Sequence, residues 1–256
     1  MSSVNKVQIH VPYSMLVSGL EGFFDNNSGP EIYISAKELD NISPAALRRI
    51  RAIVESRGLS TTVHGPFMDL SPGAVDERVR EVTVERFSEL LKAAEYLFST
   101  TVVLHADYDE RRFDGDVDLW LAQSLKSWPA LVKRAESLGI VIAVENVFEE
   151  TPLPLKRLVT SVGSPNFRMC FDVGHFNIFS KIKMEEWFSE VGELIAEVHL
   201  HDNHGEFDEH LAVGDGDIDF KLFFRLLSEH APNAVRTIEA HSDEILQRAL
   251  KAIGNY

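Results

Sequence analysis

Residues 167–200 read FRMCFDVGHFNIFSKIKMEEWFSEVGELIAEVHL. Residues 167–171 are an apolar run of strand length, 184–194 carry apolar side chains at helical spacing, and 197–200 return to a strand-like run. Two strands separated by a helix make a parallel pair, because the helix carries the chain back along the sheet before the second strand begins. The same alternation extends outward in both directions. It predicts further strands over 7–11, 31–34, 61–63, 100–104, 140–144 and 235–238. Between them, 44–57 places Leu47, Ile50, Ile53 and Val54 at helical steps, with Ser43 as cap, Pro44 in the first turn and Gly58 at the end. Residues 76–98 repeat the pattern with Val79, Val82, Phe87, Leu90, Leu91 and Ala94. Residues 118–138 also read as helix; Pro129 within them removes a backbone donor and predicts a kink or two shorter helices. Helices over 153–162, 220–230 and 243–253 complete the series. Eight such units in 256 residues predict an α/β chain closed as a (β/α)8 barrel rather than an open doubly wound sheet. No linker or composition shift interrupts 1–256, so a single domain is expected.

Hydrophobic residues make up 45% of the chain and charged ones 25%, which supplies a sizeable core and excludes disorder and low complexity. Forty acidic residues against 25 basic leave a formal charge of -15. Such a surface repels polyphosphate and disfavours duplex DNA as a partner. The one cysteine, Cys170, excludes an intrachain disulfide and suits a reducing interior. The opening MSSVNKVQIHVPYSM has no apolar signal-peptide core, and no run approaches the ~18 apolar residues of a membrane span. A cytoplasmic location without a membrane partner is expected. Trp120, Trp128 and Trp187 are candidates for core or interface, and the sequence leaves the oligomeric state open.

The residues that carry chemistry collect where the predicted strands end. His64 follows the third strand, His105 the fourth and Glu145 the fifth; Asp172 and His175 follow the sixth, His199 lies in the seventh, and Glu239 closes the eighth. One such residue alone reads as a hydrogen-bonded structural group. Seven together converge on the C-terminal mouth of a barrel, the face that carries its active site. The loop after the seventh strand adds Asp208 and His210, two apart, which in an extended stretch leave the same face and could share a metal; Gly214 and Gly216 then turn the chain toward a helix starting near Asp219. Cys170, two residues before Asp172, reads as a lining residue rather than a nucleophile.

The motifs VHGPF (His64), VLHAD (His105), VENV (Glu145), FDVGH (Asp172, His175), HLHD (His199), DEHLAVGDG (Asp208, His210) and IEAH (Glu239) resemble those of the xylose isomerase-like TIM barrels. That superfamily includes the endonuclease IV type of apurinic endonuclease and many sugar isomerases and epimerases. The resemblance spans nearly the whole chain. It implies a trinuclear centre. His64 and His105 would hold one metal, Glu145 would bridge it to a second held by Asp172, His199 and Glu239, and His175, Asp208 and His210 would hold a third. Two or three Zn²⁺ ions are implied, or Mn²⁺ in their place, since imidazole and carboxylate donors suit both. The four-ligand subset Glu145, Asp172, His199 and Glu239 is the one that sugar epimerases of the superfamily need.

The chain departs from the endonuclease pattern at its loops. Phe67 and Met68 stand where the DNA enzymes place a wedge, and could wedge or pack under the loop. Loop 2, ISAKELDNIS, offers only Lys37, and loop 4, DYDERRFDGDVD, surrounds Arg111 and Arg112 with acids. The leading expectation is a metal-dependent phosphoester hydrolase whose substrate is smaller than DNA, with Glu145, Glu239 and His175 as catalytic residues. The alternative is a sugar or sugar-phosphate isomerase or epimerase in which Glu145 and Glu239 flank one divalent metal and move a proton. A third reading is a non-catalytic metal-binding barrel.

Overall fold

The computed structural model describes residues 7–254 and Tyr256. The first six residues of the N-terminal segment lie outside the described residues. Eight parallel strands close a barrel in sequence order: β1 (Gln8–Pro12), β2 (Gly29–Tyr33), β3 (Thr62–His64), β4 (Thr101–His105), β5 (Val141–Glu145), β6 (Phe167–Asp172), β7 (Ile195–Leu200) and β8 (Val235–Ile238). Helices pack outside, their apolar faces buried against the sheet; Leu47, Ile50 and Val54 of the helix Pro44–Ser56 point inward as their spacing predicts. Among the described residues no helix is long and apolar enough to cross a membrane.

Three details differ from the sequence reading. Val117–Leu138 is one uninterrupted helix through Pro129. Trp120 and Leu121 before the proline, and Trp128, Leu131 and Val132 around and after it, are all buried, so tertiary packing holds both halves in register. The helix expected to run to residue 194 ends at Val191 and finishes as a 3-10 turn, Gly192–Leu194. Loop 2 contains a helical turn, Ala36–Leu39, closed by Ser35 and Glu38 bonding reciprocally to each other's backbone. All three tryptophans are fully buried, so they belong to the core.

Side chains alternate inward and outward along each strand, which builds the barrel interior in layers. One layer is polar: Thr62 donates to Gln8 at 2.5 Å, and Thr62 and Thr237 approach Glu197 Oε1 at 3.2 and 2.7 Å. The register between β6 and β7 shifts after Met169, where Cys170 pairs with Glu197 and Asp172 with His199. This irregularity passes over Ala196 and aligns Glu197 and His199 with the inward residues of β6.

Candidate metal centre

The layer at the mouth is built from strand pairs. His105 stands beside Glu145, Asp172 beside His199, and His10 beside Glu31. Their side chains meet in the interior. His199 Nδ1 faces Glu145 Oε1 at 3.3 Å, Glu239 Oε1 at 3.3 Å and Asp172 Oδ2 at 3.6 Å. His64 Nε2 and His105 Nε2 each lie 3.0 Å from the other oxygen of Glu145. Further out, Asp208 Oδ2 sits 3.5 Å from His175 Nε2 and 3.0 Å from His210 Nε2. The nine residues singled out in the sequence therefore gather at one end of the barrel, but as one continuous cluster: His175 Nδ1 lies 3.2 Å from Glu145 Oε1 and His210 Nδ1 3.6 Å from Glu239 Oε2.

Hydrogen bonds on the far side of each ring fix which nitrogen is free. His64 donates from Nδ1 to Gly65 O at 2.9 Å, and His175 from Nδ1 to Asn146 O at 3.0 Å, which leaves both Nε2 atoms turned to carboxylates. His199 Nε2 approaches Glu31 Oε2 at 3.3 Å, which turns Nδ1 toward the other carboxylates. That Nδ1 is buried without a hydrogen-bond partner, as are Nδ1 of His201 and of His210.

Buried acceptors facing carboxylates are costly unless a cation lies between them. Donor atoms at ~2.0–2.2 Å from a tetrahedral ion stand about 3.3–3.6 Å apart, the spacing that His199 Nδ1 keeps from Glu145, Asp172 and Glu239. The residues thus fit a divalent ion such as zinc. Electrostatics agree. Burial opposes charge on Glu145 and Asp172, yet the facing imidazoles hold both carboxyls well below their usual range. Burial likewise opposes charge on His64, but Glu145 raises its pKa to about 9. In this cluster protons occupy positions that a metal ion would take. Burial pushes the Cys170 thiol well up, which removes it as a nucleophile.

The loop from His199 to Ile218 is organised by Asp202. Its Oδ2 accepts from the backbone of Gly214 and Gly216 at 3.0 and 2.9 Å, and its Oδ1 from Asn203 and Ile218 at 2.9 and 3.2 Å. Asp208 and His210 do converge, but not through an extended stretch. His210 has φ 50°, a left-handed turn that swings its ring back onto Asp208.

Sequence reasoning missed three residues. Glu31 is fully buried and accepts from His10 Nδ1 at 2.9 Å as well as from His199. His10 also lies 3.2 Å from Glu239 Oε1. His201 donates to both oxygens of Asp172 at 3.1 Å. Its ring is parallel to that of His210, with centroids 4.0 Å apart and planes at 8°. An imidazole lone pair lies in the ring plane, so two stacked rings do not converge on one ion. His201 instead stands with Asp172 and His175, whose donor atoms lie close enough together to hold one.

Phe67 stacks on His105 at 4.7 Å and meets His64 edge-on, while Met68 is 69% exposed. The pair is divided between a contact with the metal-site imidazoles and solvent. In loop 4, Arg112 is tied to Asp107 and Arg111 lies 3.9 Å from Asp109.

Residues 22–255 match the model of the family described as "Xylose isomerase-like TIM barrel". The uncharacterized protein MJ1311 of Methanocaldococcus jannaschii is 32% identical over 226 residues, which cover 83% of this chain and 77% of that one. The crystal structure of a D-tagatose 3-epimerase-like protein aligns with a TM-score of 0.85 at 28% identity, covering 98% of this chain and 96% of the other. The TTHB071 protein from Thermus thermophilus, soaked with ZnCl2, aligns at a TM-score of 0.79 and 22% identity, over 98% and 97% of the two chains.

Proposed function

The chain belongs to the xylose isomerase-like TIM barrel family, and from that premise we propose that it is a divalent-metal-dependent isomerase or epimerase of a small sugar. The observation that carries this reading is the placement of two glutamates around one point: Glu145 and Glu239, from walls three strands apart, each bring Oε1 to 3.3 Å from His199 Nδ1. Likeness to an epimerase-like protein over 98% of the chain supports it. The preference for a phosphoester hydrolase is accordingly reversed.

A divalent ion on Glu145, Asp172, His199 and Glu239 would draw electrons from a hydroxy-carbonyl and make its C–H acidic. The protein's own groups then move the proton. One glutamate, ionised, removes it from the carbon beside the carbonyl, and the other returns a proton that it takes up from water, to the opposite face for epimerisation; the first glutamate then releases its proton to water. His64 and His105 hold Glu145 by its second oxygen, and His10 and His210 face Glu239 at 3.2 and 3.6 Å, so both carboxylates are oriented. Phe67 covers His105 and screens that side from water.

Zinc- or manganese-loaded protein incubated with ketohexoses in D₂O should place deuterium on the carbon next to the carbonyl. Glu145→Gln and Glu239→Gln should each lower that exchange by about 10²–10⁴. Release of inorganic phosphate from phosphoesters, with no exchange into any sugar, would reverse the assignment. The second reading, a multinuclear hydrolase, keeps one specific observation in its favour: the groups His64–His105 and His175–Asp208–His210 exceed what a single-metal epimerase uses.

A further inference from the structure

Between the loops that follow β3 and β4 lies a cavity of about 570 Å³, outside the metal-ligand groups. Phe67 is the partition: its ring stacks on His105 and also lines this cavity. The walls include Leu70, Val75, Val79, Phe113 and Leu119. Val75 is 60% exposed, and Val79 and Leu119 are 39% exposed. Apolar side chains left in water around a concavity, next to a reactive centre, mark a surface that a ligand covers.

The charges in the cavity decide what kind of ligand. Asp69, Asp107 and Asp114 line it, with Arg112 as the cation among its lining residues. Arg112 Nη2 donates to Ser71 Oγ at 2.9 Å, to Asp107 O at 2.9 Å and to the Asp107 carboxylate. That pairing cancels one negative charge and leaves two. A phosphate group would enter a negative field with no unpaired cation among the lining residues to receive it, whereas an uncharged ring would cover the exposed valines and leucine without that repulsion.

Resting on the sugar-isomerase reading above, we infer that this cavity is a subsite for an uncharged apolar substituent, and that the substrate is a neutral sugar derivative rather than a sugar phosphate. The sugar's hydroxy-carbonyl lies at Glu145 and Glu239, and its apolar substituent passes Phe67 to rest against Val75, Val79 and Leu119.

Calorimetric titration of zinc-loaded protein tests this with four sets of probes that keep a free hydroxy-carbonyl: the 6-O-(4-nitrophenyl) ethers of fructose, tagatose and psicose, their 6-O-methyl ethers, the corresponding hexose 6-phosphates, and the free hexoses. For at least one sugar the nitrophenyl form should bind about tenfold or more tightly than the methyl form, and no hexose 6-phosphate should bind more tightly than its free hexose. Val79→Asp and Leu119→Asp should each abolish the nitrophenyl advantage. Tighter binding of a phosphate, no aryl advantage for any sugar, or an advantage that survives both substitutions would overturn the subsite. Deuterium exchange into the free hexoses, measured on the same samples, separates the two readings. Exchange without aryl preference overturns the subsite alone, and zinc-loaded protein that exchanges no sugar overturns the isomerase reading on which it rests.

Discussion

At the scale of the residue, Glu31 shows how the candidate centre depends on a group that holds its imidazoles in place. It is fully buried, and burial opposes its charge, but His199 and His10 keep it ionised. Its bond to His199 Nε2 fixes that imidazole with Nδ1 toward the three carboxylates. Glu31→Gln should lower zinc affinity by about 10–100-fold, the usual effect of losing a partner behind a ligand histidine, with an unchanged circular dichroism spectrum. Wild-type affinity in a chelator competition would remove Glu31 from the centre. Glu149 presents the opposite case. Burial raises its carboxyl to a pKa of about 8 against the bond from Val147 N–H, so it folds protonated. The unfolded chain ionises this group from about pH 4.5. Between there and pH 8 the folded state binds more protons, and stability falls as pH rises, by roughly 4–5 kcal/mol at most. Glu149→Gln should flatten the urea-midpoint profile between pH 5 and 8. Parallel profiles for variant and wild type would contradict this. Glu31 was hidden in the sequence because its partner is 168 positions away and only barrel closure joins them. His201 was legible in principle: it stands two residues after His199, the same spacing that singled out Asp208 and His210.

At the scale of the element, the last six strands were readable because each carries a histidine or carboxylate at or beside the end of an apolar run, and the parallel order followed from the helices between them. The polar layer beneath the mouth was not, since a lone Thr62 or Glu197 in a strand carries no sign of what faces it. The loop after β7 was half legible. Its glycines announced a turn, and Gly216 is required there: a Cβ would stand 2.4 Å from Asn203 O and 2.5 Å from Asp202 Oδ1. The role of Asp202 became visible only in the folded loop, where one buried carboxylate accepts from four backbone N–H groups. Asp202→Ala leaves those donors without a partner, at a cost of about 3 kcal/mol or more. The melting midpoint should drop by about 6–12 °C, and any zinc bound at Asp208 and His210 should be lost with it. A midpoint within ~2 °C of wild type would mean the loop does not depend on this carboxylate.

At the scale of the whole molecule, the barrel arranges its candidate donor groups by depth, and depth should order their affinity for metal. Glu145, Asp172 and His199 are at most 2% exposed and Glu239 is 8% exposed, whereas the Asp208 side chain in the outer group is 40% exposed. Attraction between an ion and its carboxylates weakens as water enters, so the inner site should fill first and empty last. We expect zinc titration of metal-free protein to show a tight step followed by a weaker one, ending above one ion per chain. His175→Ala and His210→Ala should each remove the weaker step and leave the tight one in place. His201→Ala should keep the number of ions and loosen the tight step, because it supports Asp172 and does not converge on one ion with the ring stacked against it. Measured by calorimetry with metal analysis of the end point, a single step that survives His210→Ala unchanged would leave the outer group without a metal and remove the remaining ground for a hydrolase. Two steps with deuterium exchange into a sugar would instead describe an isomerase that retains a multinuclear mouth.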